Sequence, residues 1–231
     1  MNESGIVRVQ ETVAGYRLIP SKYPPIALFD DVATPDEFDL LYEIQALTNP
    51  RLQSELGNLN LLPRTEWPWG IPGCSYAVAP FTHVNPDGSR FSSGDFGMFY
   101  LGESKQTAIR EVMYHQQRYW TKIPSLKYDR LVFRCLACHL APSEFVSLSD
   151  TVAFPDTHPY YAPDDYSASR LLGSELRQAG EIGVRYRSVR NPGGTCWGLF
   201  TPRLITDIHQ ANHVEMVWNG SISSVNTITA Q

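Results

Sequence analysis

The sequence predicts an α+β fold, in which short strands and helices follow one another in mixed order. Three observations support this fold class. Short apolar runs typical of strands alternate with segments of helical periodicity, a turn at residues 191–194 joins two late strands as a hairpin, and no repeat or low-complexity stretch is present. A doubly wound parallel sheet would need a more regular alternation than this chain shows.

The composition excludes several classes of function. The chain has 231 residues, of which 42% are hydrophobic, and a formal net charge of -5. This length supports a core without disulfides, and the acidity argues against general nucleic-acid binding, which usually needs a basic excess. No apolar run approaches the roughly 18 residues of a membrane helix, and the first residues lack the pattern of a secretory signal. We therefore expect a soluble, cytoplasmic protein that contacts neither membrane nor nucleic acid directly.

The first 74 residues are predicted to form an N-terminal extension with one distinct helix. Thr34 as N-cap, Pro35 in the first turn and Glu37 three residues after the cap mark its start. Its predicted apolar face comprises Leu40, Leu41, Ile44 and Leu47, and its end is predicted at Asn49-Pro50. Residues 63–73 predict a long loop before a short strand at residues 76–79. Because no linker separates the two regions, we expect residues 1–74 to pack on a core of residues 75–231 as a single compact unit.

The core is predicted to continue with a strand at residues 97–101 and a helix that Ser104 caps. This helix should extend to about Arg118 and bury Ile109, Val112 and Met113. A strand at residues 130–140 and an aromatic, proline-rich loop at residues 155–163 follow. The next helix should open at Asp164-Asp165 and close at Gly180, with Leu171, Leu172, Leu176 and Ala179 along it. The hairpin comprises residues 182–188, with Ser188 in the inward phase, and residues 196–200.

The sequence Cys135-Leu-Ala-Cys138-His139 matches the C-x-x-C-H pattern of haem attachment and offers two thiols to a metal. The flanking residues predict a strand, however, and side chains alternate between the two faces of a strand. Cys135 and Cys138 should therefore point in opposite directions and pack in the core rather than chelate one ion. A thiol-bound metal or haem is the least favoured alternative.

Familiar nucleotide-binding and hydrolase motifs are absent, so the candidate residues are polar ones in apolar surroundings. Arg90 precedes a glycine-bracketed turn, Tyr100 lies on the following strand, Glu111 lies beside the apolar stripe of the next helix, and Ser188 ends a strand. Taken singly, each residue also suits a purely structural role. The spacing alone does not decide between the two interpretations.

Two segments resemble the RES family, which is named after an arginine, a glutamate and a serine. Residues 88–115 contain Arg90, Tyr100 and Glu111 with the expected glycines, and residues 183–190 contain Ser188. The resemblance extends over roughly residues 75–205. Residues 16–20 resemble the start of longer members, which implies that Arg17 is a second phosphate-facing arginine. Short members carry Trp-Asn after the arginine, whereas this chain has Phe-Ser.

The resemblance implies a fold similar to the ADP-ribosyltransferase toxins, with short mixed or antiparallel strands, surrounding helices and an N-terminal helical elaboration. It implies NAD+ as a substrate rather than as a cofactor, with inorganic phosphate as a candidate co-substrate. Family members act as toxins in bacterial toxin–antitoxin pairs, and some degrade NAD+ whereas others transfer ADP-ribose to proteins. The implied partner is an antitoxin with an Xre-type helix-turn-helix domain that covers the active site. The sequence leaves a homodimer open.

The residue types suit this chemistry. Nicotinamide leaves NAD+ as a neutral pyridine, so the enzyme needs no general acid and no metal, but it must stabilise an oxocarbenium-like ribose and hold the diphosphate. We assign the first task to Glu111 and the second to Arg90, with Arg17 as a further candidate. Tyr100 is expected to stack on the nicotinamide or hold its ribose, and Ser188 to hydrogen-bond on the nicotinamide side.

The acceptor is left open by the sequence: water, phosphate and a protein side chain each remain. Arg185, Arg187 and Arg190 surround Ser188, and alternation places Arg190 on the serine face, where it could hold phosphate as the nucleophile, which favours phosphorolysis. The same arginines could also solvate an edge strand. A partner-binding module without catalytic activity is the alternative from another class.

The histidines offer weaker candidates. His83 and Asn85 precede Arg90 closely enough to line the same cleft, and His115 follows Glu111 by one helical turn. His209 and His213 have the spacing of a helical metal pair, but no third ligand is evident, which favours surface histidines.

Overall fold

The computed structural model describes residues 6–22, 34–46 and 56–228. Within these residues, the strands form one nine-stranded sheet in the order β1-β5-β6-β7-β3-β2-β4-β8-β9. Neighbouring strands are antiparallel except for the parallel pair β5–β6. The strands are β1 (Val7–Glu11), β2 (Ala14–Pro20), β3 (Phe99–Gly102), β4 (Asp129–Leu140), β5 (Ser143–Ser147), β6 (Gly183–Arg187), β7 (Thr195–Leu199), β8 (Ile205–Trp218) and β9 (Ile222–Ile228).

Four α-helices are described alongside this sheet: α1 (Pro35–Ala46), α2 (Cys74–Thr82), α3 (Lys105–Thr121) and α4 (Ser167–Gln178). The mixed sheet and these helices confirm the predicted α+β class. The strands are less uniformly short than predicted, because β4 has 12 residues and β8 has 14. None of the described helices is both long and apolar enough to cross a membrane.

Strand β2 lies in the middle of the sheet but is paired unequally on its two sides. It pairs with β4 over its whole length, from Ala14 to Pro20, and with β3 only at Tyr16–Gly102. At this point the chains approach closely, since a Cβ on Gly15 would lie 2.4 Å from Leu101 and 2.9 Å from the carbonyl of Gly102. Beyond it the two strands separate, and the sheet opens.

The two faces of β4 belong to different hydrophobic cores. Phe133 and Cys135 pack with Trp120, Val214 and other residues on the α3 side, whereas Leu136 and Cys138 pack with the cluster that contains α2. The prediction that the two cysteines point in opposite directions is therefore confirmed, and both are buried and free.

The predicted start of α1 is confirmed, but its predicted apolar face is only partly right, because Leu41 packs on the core whereas other members are exposed. Thr34 and Glu37 form the reciprocal hydrogen bonds of a capping box, at 3.1 and 3.3 Å. Leu40 and Ile44 are 61% and 53% exposed. The buried side chain is Phe38, which packs on Trp67 and Trp69 of the following loop, so the aromatic residues decide which face turns inward. Leu47 and the predicted end at Asn49-Pro50 lie outside the described residues.

The predicted strand at residues 76–79 is wrong, because this segment is part of α2. Gly73 precedes the helix with φ at +75°, and the buried side chains include Cys74, Ala77, Val78 and Phe81. Their spacing of three and four residues is that of one helical face. The apolar run was too short to distinguish this pattern from a strand.

Two further segments differ from the expected local structure. His209 and His213 lie on strand β8, so they do not form the helical metal pair, which the sequence analysis had already disfavoured. Helix α4 begins at Ser167, after Asp165 accepts hydrogen bonds from the backbone and side chain of Ser167. Of the leucines along it, Leu172 and Leu176 are buried, whereas Leu171 is 62% exposed.

The remaining core elements lie where the sequence places them. Ser104 caps α3, and the partly buried Ile109, Val112 and Met113 pack on the core. Strand β6 buries Val184 and Tyr186, Ser188 follows in the same phase, and β6 and β7 form the hairpin. The predicted division of the chain into an extension and a core at residue 74 stays a prediction. Strands β1 and β2, which precede residue 74, belong to the same sheet as the later strands.

Candidate functional site

A cleft of about 580 Å³ opens where β2 and β3 separate. One wall comes from β2 and β3 with Tyr16, Arg17 and Tyr100, and another comes from α3 with Glu111 and His115. The segment before β3 contributes residues 87–90, and the start of α4 contributes Tyr166 and Arg170. The structure thus brings Arg90 and Glu111 to one cavity, although the 20 residues between them include strand β3 and the first six residues of α3.

Arg90 is buried to 7% exposure, and its guanidinium is fixed from two sides. Nη1 donates to the carbonyl oxygens of Tyr160 and Ala162, at 3.0 and 3.2 Å, and the group lies 4.5 Å from the ring centroid of Tyr166. Its backbone carbonyl accepts a 2.7 Å hydrogen bond from Ser169 of α4. These contacts hold the cation without a carboxylate partner among the described residues, so its positive charge remains available to a ligand.

Glu111 is oriented by Ser188. The serine hydroxyl donates to Oε1 of Glu111 at 2.6 Å and accepts hydrogen bonds from the backbone amides of Arg190 and Asn191, at 3.2 and 2.9 Å. The Asn191 side chain in turn donates to Thr107 on α3. Ser188 is not among the residues that line the cleft, and the side chain its hydroxyl donates to is the carboxylate of Glu111. A hydrogen bond from Ser188 on the nicotinamide side stays a prediction. The geometry of Ser188 is that of a positioning residue.

Tyr100 lines the cleft floor with its hydroxyl fully engaged. The phenol oxygen lies 2.8 Å from Ser89 Oγ, accepts from the amide of Phe91 and contacts the sulfur of Met98. Burial raises the pKa of Tyr100 to about 12, so the phenol stays neutral. Its ring passes over Gly198 on the paired strand β7, where a Cβ would lie 3.0 Å from the ring. The tyrosine therefore anchors the backbone next to Arg90.

Arg17 lies where β2 and β3 part. Nη1 donates to the carbonyl of Tyr100 at 3.0 Å, and the guanidinium lies 4.8 Å from the ring centroid of Phe99. Its buried Nε has no hydrogen-bond partner among the described residues. Burial lowers the pKa of Arg17 from its ordinary value, although it remains a cation at neutral pH.

The cleft is more cationic than the protein as a whole. The basic side chains on its walls are Arg17, Arg90, Arg118, Lys122 and Arg170, whereas the acidic ones are Asp87, Glu111 and Asp164. This excess contrasts with the net charge of -5 of the chain. Because the electric field of the cleft walls is concentrated inside a cleft, this excess of positive charge favours an anionic ligand, which would lie beside the carboxylate of Glu111.

His115 reaches the cleft from the turn of α3 after Glu111. Partial desolvation and the charges of Arg190, Arg90 and Arg118 lower the pKa of His115 to about 4. Although its outer part is exposed, the ring is therefore neutral at physiological pH. It adds no positive charge to the cleft at neutral pH.

The arginines around Ser188 have separate partners. Arg185 pairs with Asp150 and Glu11, and Arg187 pairs with Asp156, on the side away from the serine, as alternation predicts for Arg187. Arg190 lies over the ring of Tyr114 and donates to the carbonyl of Pro163. It does not line the cleft, but its charge reaches His115.

His83 lies outside the cleft. It follows α2 as the C-cap, with Nδ1 3.3 Å from the carbonyl of Ala79, whereas Asn85 does line the cleft. The prediction for His83 rested only on its closeness to Arg90 in the chain, and this closeness does not bring its side chain into the cleft.

Sequence reasoning missed Tyr166 and Arg170. The ring of Tyr166 supports Arg90, and Arg170 donates to the carbonyls of Ser89 and Asp87. The sequence gave no sign that they support the site. A tyrosine and an arginine four residues apart also occur on many helices that only face solvent.

The sheet and the cleft define an α+β protein with a cationic binding cleft and one oriented carboxylate. Residues 68–219 match the RES domain family. The chain is 30% identical over 208 residues to the uncharacterized protein y4oC of Sinorhizobium fredii (strain NBRC 101917 / NGR234), covering 89% of this chain and 83% of that protein. A structure of the M. tuberculosis MbcT–MbcA toxin–antitoxin complex aligns with a TM-score of 0.46 and 10% identity, over 97% of this chain and 87% of that chain.

The family match covers more than half of the chain, and the chain therefore belongs to the RES domain family. The matched residues include Arg90, Glu111 and Ser188. Arg17 lies before the matched segment, yet it lines the same cleft.

Proposed function

We propose that this protein is an NAD+-degrading toxin of a bacterial toxin–antitoxin pair, which cleaves the bond between nicotinamide and ribose with phosphate or water as the acceptor. The observation that carries the proposal is that Arg90 and Glu111 line one cleft of about 580 Å³. That volume lies within the range of small-molecule sites, roughly 300 to 1,000 Å³. The RES family resemblance supports the choice of NAD+ as substrate and of a helix-turn-helix antitoxin as partner.

The diphosphate would bind to the arginines. Arg90 uses Nη1 for the carbonyls of Tyr160 and Ala162, and a guanidinium carries five N–H donors, so donors remain for phosphate oxygens. Arg17 adds a second guanidinium whose buried Nε has no partner among the described residues. Two such groups would neutralise the diphosphate and fix the dinucleotide along the opening of the sheet.

The carboxylate would act on the ribose. As the bond from C1′ to the pyridinium nitrogen breaks, its electron pair neutralises that nitrogen and positive charge develops on the ribose. Glu111 would stabilise this charge electrostatically and accept hydrogen bonds from the ribose hydroxyls. Because Ser188 holds Oε1 at 2.6 Å, the carboxylate is oriented before the substrate arrives. The new bond then forms between C1′ and an oxygen of phosphate or water.

The identity of the acceptor needs an experiment. Arg185 and Arg187 are paired with acidic side chains, so two of the three arginines that could hold phosphate near Ser188 are engaged elsewhere. Phosphate would instead have to bind to the cations of the cleft itself, such as Lys122, since Arg118 is paired with Asp164 at 2.8 Å. Water requires no such site.

The test is to incubate the purified full chain with NAD+, with and without inorganic phosphate, and to identify the products by mass spectrometry and phosphorus NMR. A phosphorylated ADP-ribose identifies a phosphorylase, free ADP-ribose a glycohydrolase, and a mass increase on a protein an ADP-ribosyltransferase. Glu111→Gln should suppress nicotinamide release, and Glu144→Gln, at an exposed position on β5, should leave it unchanged. Binding of NAD+ without nicotinamide release in the native protein would contradict the proposal and favour a binding module.

A further inference from the structure

Two histidines and an aspartate converge on neighbouring strands outside the cleft. His139 lies on β4 directly opposite Asp207 on β8, and His209 follows Asp207 by two residues, which places it on the same face of the strand. The side chains of His139, Asp207 and His209 are 50%, 32% and 55% exposed. None of the three lines the cleft, and the proposed function does not use them.

The three side chains meet at their polar atoms. Oδ2 of Asp207 lies 3.2 Å from Nδ1 of His139 and 2.7 Å from Nδ1 of His209. One ligand atom from each residue lies within 4.8 Å of the other two, and the two imidazole rings stack with centroids 6.1 Å apart. Ligands bound to one metal ion at about 2.0 to 2.2 Å are separated by little more than 3 Å. Small side-chain rotations are enough to reach this arrangement.

We propose that His139, Asp207 and His209 bind a Zn²⁺ ion, with water as the fourth ligand. Imidazole nitrogen and carboxylate oxygen are both zinc ligands, and a tetrahedral ion with three protein ligands keeps one open position. The donor set is unsuited to Ca²⁺ or Mg²⁺, which take oxygen ligands. The exposure of all three side chains leaves the fourth position open to solvent.

The sheet holds the ligands in place. Strands β4 and β8 are paired on both sides of the His139–Asp207 position, and Thr206 donates from Oγ1 to the carbonyl of His139 at 3.1 Å. Binding a metal across the two strands would therefore cost little ordering of the backbone. The adjacent Cys138 belongs to the buried core on the other face, so this site does not use the C-x-x-C-H thiols.

The alternative is that Asp207 only accepts hydrogen bonds from the two histidines, without a metal. A zinc titration of the full chain against a chromophoric chelator separates the two interpretations. The proposal predicts saturable binding of one ion and an affinity at least about 10-fold weaker in His209→Ala, since even supporting residues of metal sites contribute 10- to 100-fold. His213→Ala, on the same strand but outside the cluster, should bind as the native chain does.

Two measurements guard this test against misfolding and against thiol binding. Asp207→Asn keeps the shape of the side chain and should also weaken zinc binding, while circular dichroism verifies the fold of each variant. The absorption spectrum with Co²⁺ should lack a thiolate charge-transfer band, because the proposed ligands are nitrogen and oxygen. Absence of saturable binding, equal affinity in the cluster variants and the native chain, or a thiolate band would each overturn the proposal.

Discussion

The two sides of strand β2 show how one strand serves stability and binding at once. Towards β4 it is paired along its whole length and backed by buried side chains such as Phe133 and Leu136. Towards β3 it is paired only at Tyr16, and the gap beyond is occupied by Arg17 and bordered by Glu111. The difference teaches that the cleft is a gap in the backbone pairing between β2 and β3. The continuous pairing of β2 with β4 stabilises the strand despite this gap.

This comparison also explains where hydrogen bonds to side chains concentrate. On the β4 side the backbone groups are satisfied by neighbouring strands. On the β3 side the carbonyl of Tyr100 is satisfied by Arg17, and the amide of Phe91 by the phenol of Tyr100. Side chains that satisfy the backbone in this way are fixed in position, and fixed side chains are what a binding site requires.

The largest expected effect is a loss of stability from a substitution on the β4 side of β2, where the strands are continuously paired. Phe133→Ala removes a buried ring from the core between β4, β8 and α3, and should lower the free energy of unfolding by about 3 to 5 kcal/mol. Chemical denaturation measures this change. Tyr128→Ala, which removes a 63% exposed ring just before β4, should shift the midpoint only slightly. An equal loss of unfolding free energy in both variants would show that the core on the β4 side does not contribute the expected stability.

The second largest effect is expected on NAD+ cleavage, from a substitution in the cleft on the β3 side of β2. Glu111→Gln should lower kcat/KM for NAD+ cleavage by about 10²-fold or more, because the developing positive charge on the ribose loses its carboxylate. The free energy of unfolding should stay close to that of the native chain, since the amide oxygen can still accept from Ser188. Steady-state nicotinamide release and a denaturation curve report the two quantities. Unchanged kcat/KM would remove Glu111 from the reaction.

A smaller effect on both stability and substrate binding is expected at Tyr100, which hydrogen-bonds the backbone and also lines the cleft. Tyr100→Phe leaves the amide of Phe91 without its acceptor, which should cost about 1 to 3 kcal/mol of stability. The amide of Phe91 directly follows Arg90, which is proposed to bind the diphosphate. A displaced Arg90 should weaken substrate binding, so KM should rise more than kcat falls. Tyr128→Phe is the matched control, and a variant with native KM would show that the phenol does not position the arginine.

The smallest effect concerns pH. The folded pKa of His115 is about 4, below the ordinary value of 6.5, so the unfolded chain binds more protons between these values and stability falls as the pH decreases from 6.5 towards 4. His115→Gln removes this contribution and should flatten the stability profile in that window. The effect is small because the side chain is partly solvated. Denaturation midpoints at several pH values test it, and parallel profiles for the two proteins would contradict it.

Much of the core could be predicted locally. The cap at Ser104, the inward phase of Val184, Tyr186 and Ser188, and the opposite orientations of Cys135 and Cys138 follow from spacing and side-chain chemistry, and the structure confirms them. The errors arose where a short apolar run suits two structures, as in α2, or where an aromatic residue outweighs the leucines, as in α1.

The candidate site was predictable only in part. Arg90, Glu111 and Ser188 were candidates as polar residues in apolar surroundings, and the family resemblance gave them a function. Their convergence needed the structure. Tyr166 and Arg170 gave no signal, because their partners are backbone carbonyls and a guanidinium from a distant segment.

The sequence by itself determined which residues start helices, which face inward along a strand, and which side chains carry charge. Only the tertiary structure decided that β2 separates from β3 beside Arg17, and that His139 lies opposite Asp207 across β4 and β8. The reason is physical: periodicity and capping act over a few residues, whereas the pairing of distant strands is set by how the whole set of buried faces packs together.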